Sequence, residues 1–176
     1  DWLAQNPDTL VLDIETGFNN RYHPGEGFGL AYIDYYNSAN TIFPAPIEDD
    51  RLAGKDWIHL VRVGDEAVAY PIERLAQLGF VQDEIGGVPV VVLATGGANS
   101  GNGASGRGGG RAYAAGEVRF VEASGGAALS DDGRSWQVSE EALIGPAGER
   151  LERWPSFNAF WFAVVYLAAE TRLFEG

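Results

Sequence analysis

The chain has 176 residues, 45% of them hydrophobic, with 12 basic against 25 acidic side chains, a net charge of −13 and no cysteine. A chain of this length buries roughly 70% of its unfolded surface, which is enough for one well-cored domain. The charge excludes nucleic acid and anionic membrane as favoured partners, and the missing thiols exclude disulfides, thiolate nucleophiles and sulfur-ligated metals within the chain.

Residues 2–12, WLAQNPDTLVL, read as a helical turn that ends near Asn6-Pro7, followed by a strand through Ile14. Residues 17–40 are rich in Gly, Asn and Tyr without a period, and read as a long covering loop whose tyrosines pack on the core. Residues 58–63 and 66–70 are two apolar, β-branched runs separated by Gly64-Asp65, a tight hairpin because those residues tolerate the positive φ of the turn. Pro71 suits the first position of a helix, and Ile72, Leu75, Ala76 and Leu78 share one side at helical spacing before Gly79. Residues 80–85 and 88–93, joined by Gly86-Gly87, form a second hairpin. Hairpin, short helix, hairpin is therefore the central unit.

Residues 96–110 hold eight glycines in fifteen positions and predict a flexible loop. They lack the Gly-Lys-Ser/Thr ending of a phosphate loop. Beyond them, residues 117–123 alternate as a strand, Asp132-Gly133 turns a hairpin that joins Leu129 to Trp136, and residues 142–144 and 150–154 add short strands. Ser156 stands where an N-cap is expected for a helix over 157–169, apolar on nearly every face. Thirteen residues reach only about 20 Å, too short to cross a bilayer of about 30 Å, so this helix is expected to be buried. The whole pattern predicts an α+β, β-rich fold, with an antiparallel sheet or barrel-like β-structure built from hairpins, a short helix near 72–78 and a buried helix near 157–169.

The strings VGDEAVAYPIERL, DEIGGVPVVV and EDDRLAGKDW resemble the DUF3179 family, a group of bacterial and archaeal proteins of uncharacterised function. The resemblance implies an exported protein, extracellular, periplasmic or in the cell envelope, in which two tandem units are usual. Segment 161–174 repeats the pattern of 2–12: a tryptophan-led apolar helix, a small polar or acidic break, Thr, then an apolar strand. On this basis residues 1–16 are expected to be the tail of a preceding repeat, and residues 17–176 one domain. The preceding repeat is then the expected partner. The resemblance also implies a Trp-His pair at Gln77-Leu78 and a Cys-Pro-x-Cys string whose cysteines fall near Thr95 and Ala98. None of those reactive groups is present here.

Among polar candidates, Asp13 and Glu15 stand two apart at a strand end, where both carboxylates face one side. Asp49, Asp50 and Arg51 belong to the densest charge cluster, and an ion pair or turn between Asp50 and Arg51 is the simplest role for them. His59 lies in an apolar strand, where a hydrogen-bonded core histidine is the ordinary case. His23 precedes Pro24 in a loop and reads as solvent-facing. No residue is assigned as catalytic and no cofactor or metal is expected. The missing cysteines, the glycine tract in place of the motif that the resemblance implies, and the structural glycines and prolines point to a non-catalytic structural or binding module, a degenerate repeat of a DUF3179-like protein. A carboxylate/His metal-binding or hydrolytic domain is the competing class.

Overall fold

A computed structural model of the protein describes residues 2–10, 17, 35, 38–45, 49–96, 108–124, 126–168 and 170–176. In chain order these form α1 (Trp2–Gln5), β1 (Trp57–Val63), β2 (Glu66–Pro71), α2 (Ile72–Leu78), β3 (Phe80–Ile85) and β4 (Val88–Thr95). They continue as β5 (Gly109–Ala114), β6 (Phe120–Ser124), β7 (Ala127–Ser130), β8 (Ser135–Val138), β9 (Ala142–Ile144), β10 (Arg150–Trp154), β11 (Ser156–Phe160), α3 (Trp161–Leu167) and β12 (Arg172–Leu173). Four strands run in the order β11-β1-β2-β12 and eight in the order β3-β4-β5-β10-β9-β8-β7-β6. Every pairing is antiparallel except that of β12 with β2. The β-rich, barrel-like fold expected from the sequence is the one formed.

The hairpins sit where their turn residues put them. Gly86 and Gly87 take φ of +56° and +75°, the left-handed conformation that a two-residue turn between twisted strands requires. Helix α2 spans the predicted residues, burying Ile72 and Leu75 and leaving Leu78 40% exposed.

Alternation along β1 and β2 divides the core. Val61, Val63, Val68 and Tyr70 face the barrel interior with Ile72, Val90, Val92 and Ala112. Ile58, Leu60 and Ala69 face outward and are covered by Trp161 and Val164 of α3. A third cluster, with Val91, Leu93, Tyr113, Phe120 and Trp136, fills the space between β4–β5 and the β6–β9 meander. Full burial of one such aliphatic or aromatic side chain contributes about 1.5–3 kcal/mol, so these three clusters hold the fold together.

The chain passes from the eight-stranded sheet to the four-stranded one at a proline. Strand β10 pairs with β9 and β5, then Pro155, which has no N–H to give a ladder, releases the chain from that sheet. The chain re-enters as β11, paired with β1 from Val61↔Ser156 to Trp57↔Phe160. The Trp154 indole N–H donates to the Arg62 carbonyl at 2.8 Å across the seam.

The C-terminal helix departs from its expected span. Residues 156–160 are strand rather than helix, Ser156 caps nothing, and α3 begins at Trp161. The reason is tertiary: β1 offers an unpaired edge, and the hydrogen bonds made there outweigh the helix preference of an apolar run. Nor is α3 buried all round, since Tyr166 and Leu167 are 73% and 82% exposed.

Candidate functional site

The described polar candidates divide between the two faces of the β1–β2–β11 sheet. On the outer face the Arg51 guanidinium grips Asp49, with Nε to Oδ2 at 3.0 Å and a terminal nitrogen to the same oxygen at 2.6 Å. Its other terminal nitrogen donates to the Thr171 carbonyl at 3.0 Å, and the guanidinium carbon lies 5.1 Å from the centre of the Trp161 ring. Arg51 thus pairs with Asp49, not with Asp50 as the sequence suggested. The Arg51 hydrogen bond holds the Asp49 carboxyl below its ordinary pKa. The buried Trp161 indole N–H also lies close enough to contribute to that lowering, without reaching hydrogen-bond geometry. This cluster ties the segment before β1 to the turn before β12.

His59 points to the opposite face, into the barrel. It is 1% exposed and stands directly across the ladder from Asn158 of β11. Asn158 Oδ1 lies 2.8 Å from His59 Nδ1 and also accepts the Gly110 N–H at 3.3 Å. An atom that accepts from a backbone N–H is the amide oxygen, so Nδ1 carries the imidazole proton and Nε2 the lone pair. Nε2 is buried, with no hydrogen-bond partner among the described residues. Burial is the main reason that the His59 pKa falls to about 4; Asn158 opposes the shift and the positive charge of Arg153 adds to it. The imidazole is therefore neutral at pH 7.

Two glycines make room for this pair. A β-carbon on Gly110 would come within 2.6 Å of His59 Cγ, and one on Gly109 within 2.6 Å of Asn158 Nδ2 and 3.1 Å of Thr95 Oγ1. The end of the glycine-rich tract is thus the first part of β5, chosen small because two sheets meet there. Neither Asn158 nor Gly110 was marked by the sequence: the first sat in a run that reads as helix, the second in a tract that reads as loop.

Asp13, Glu15 and His23 lie outside the described residues. Asp50 is exposed. Among the described residues no group of three or more His, Asp or Glu side chains is placed to hold a metal ion. Likewise, no helix among them is long and apolar enough to cross a membrane.

The family described as "Protein of unknown function (DUF3179)" matches residues 1–171. The chain belongs to the DUF3179 family. No curated protein and no solved structure matches it. Within this DUF3179 chain, two of the positions where the resemblance places reactive groups, Leu78 and Thr95, flank one hydrogen bond, and Ala98 lies outside the described residues. Leu78 ends α2 and Thr95 ends β4, on either side of the hydrogen bond from the Ala94 N–H to the Gly79 carbonyl at 2.8 Å. Thr95 in turn borders the Gly109–Asn158 contact.

Proposed function

We propose that this DUF3179 chain is a non-catalytic structural or binding module, a degenerate repeat in which residues 17–176 form the unit and residues 1–16 the tail of a preceding one. One observation carries the reading: Asp49 with Arg51 and His59 with Asn158 lie on opposite faces of one sheet, the first pair tying the segment before β1 to the turn before β12 and the second linking β1 to β11. A reaction needs groups that converge on one substrate, and these do not. The leucine and threonine at the family's reactive positions support the same view.

A carboxylate/His metal-binding or hydrolytic centre is the second reading, favoured by the His59 Nε2, which has no partner among the described residues. A histidine whose Nδ1–H is held by an oxygen presents Nε2 as a ligand or base. Titration calorimetry with Zn²⁺ and with Ca²⁺, on the parent chain and on His59→Ala, separates the two. Stoichiometric binding that disappears in His59→Ala establishes the second reading; no binding to either chain is expected. Export to the periplasm, envelope or medium belongs to the same proposal, and fractionation of the producing cell tests it.

A further inference from the structure

The eight-stranded sheet curls until its first and last strands, β3 and β6, meet, yet among the described residues no backbone ladder joins them. One side chain spans the gap. The Gln82 carboxamide donates from Nε2 to the Val118 carbonyl at 2.7 Å, and its Oε1 accepts the Phe120 N–H at 2.9 Å. A carbonyl only accepts and a backbone N–H only donates, so these partners fix which way the amide points. The Val118 carbonyl and the Phe120 N–H flank Arg119, and are the two groups that a neighbouring strand would take at that place. The Arg119 carbonyl turns the other way and accepts the Asp131 N–H at 2.8 Å. Gln82 thus stands in for a strand.

Farther along β6 the Ala123 carbonyl comes near Gly79, where a β-carbon would stand 3.3 Å from it. Gly79 gives its own N–H to the Leu75 carbonyl at 2.9 Å, so this approach is packing without a bond between the two. Between these points β6 is irregular: its register with β7 shifts between Phe120 and Glu122, and Val121 is 56% exposed. Behind the seam lie Leu93, Tyr113, Phe120 and Trp136, with Phe80 of β3 and Val118 packed against them. The cluster of Val61, Val68, Tyr70 and Ile72 is a separate set of side chains, which parting of the seam leaves intact. Strands β6 to β9 pair in chain order, each with the next, so their mutual bonds also survive. Gln82 itself is exposed, and water competes for both of its bonds.

We infer that Gln82 is a latch: its carboxamide holds the β6–β9 meander against β3, and its release lets the meander lift from β4 and β5 as one unit while the β1–β2–β11 sheet stays closed. Opening of this kind uncovers the interior that holds Phe120 and Trp136 without unfolding the chain. Glutamine suits the role because a seam that presents one acceptor and one donor needs a group offering both. A glutamate of the same length accepts from the Phe120 N–H but sets a carboxylate oxygen against the Val118 carbonyl, until a proton restores the donor. The latch goes beyond the reading of the chain as a structural or binding module and does not rest on it, so an enzymatic activity would leave it untouched.

Hydrogen exchange on the intact chain tests it with Gln82→Ala and Gln82→Glu, each read against the parent at the same pH. In Gln82→Ala at pH 7 the amides of Phe120, Asp131 and Val138 are expected to exchange together, about tenfold faster, while those of β1 and β2 keep their rates. Gln82→Glu is expected to match it at pH 7. At about pH 4, just below the ordinary glutamate pKa of about 4.3, the protonated carboxyl donates again and the rates are expected to return to within about threefold of the parent. Acceleration at Phe120 alone overturns the latch, because the meander then does not open as a unit. Equal acceleration in β1 and β2 overturns it too, since the loss is then global. A Gln82→Glu chain that exchanges like the parent at pH 7 shows that the amide does not hold the seam.

Discussion

His59 and Asn158, ninety-nine residues apart in sequence, are cross-strand neighbours whose side chains meet at 2.8 Å inside the barrel. The pair fixes the register of β11 on β1, and Gly110 fixes how near β5 approaches both.

The neutral imidazole makes stability depend on pH in a defined window. The His59 pKa is depressed from about 6.5 in the unfolded chain to about 4 in the fold. Above pH 6.5 both states are neutral, and as pH falls toward 4 only the unfolded state takes up the proton. Stability is therefore lost across pH 6.5 to 4, by up to about 3 kcal/mol from this group. Urea unfolding at pH 7 and at pH 4.5 checks this: His59→Gln is expected to lose less stability between the two than the parent. Equal losses would mean that the imidazole is not desolvated.

Gly110→Ala is expected to destabilise the fold by about 1–3 kcal/mol, because the new methyl meets the imidazole ring with no room to move. His59→Ala opens that space. In the double variant the Gly110 penalty is expected to shrink by about 1 kcal/mol or more, measured as a coupling energy from denaturant melts. Additive single effects would place the clash elsewhere.

Arg51→Ala releases the Thr171 carbonyl and the Asp49 carboxylate together. Loss of a charge-assisted bond at this surface is expected to loosen the β12 edge rather than the whole barrel. Hydrogen exchange checks it: the Phe174 amide, bonded to Ala69, is expected to exchange about tenfold faster while amides of β4 keep their rates. A uniform acceleration would show that the cluster supports global stability instead.

Trp161 covers Ile58, Leu60 and Ala69 and is fully buried. Trp161→Ala is expected to cost about 3–5 kcal/mol through the cavity it leaves. Among the described residues its indole N–H meets no partner in hydrogen-bond geometry, so Trp161→Phe loses chiefly volume and is expected to cost about 1–2 kcal/mol. Thermal melts of both variants separate the two contributions.

By itself the sequence determined the hairpins and α2, because Gly64-Asp65, Gly86-Gly87, Asp132-Gly133 and the Pro71 to Gly79 frame act through local backbone geometry. It determined the family as well, through strings within the central unit and in the segment just before it. Only tertiary structure decided the stretch from Ser156 to Leu167, where an apolar run satisfies a helix or a strand equally until β1 presents its edge. Tertiary structure also decided which carboxylate Arg51 grips, and that Asn158 and Gly110 enclose His59. Those relations rest on contacts between distant residues, and pairing across a barrel leaves no period or spacing along the chain to read.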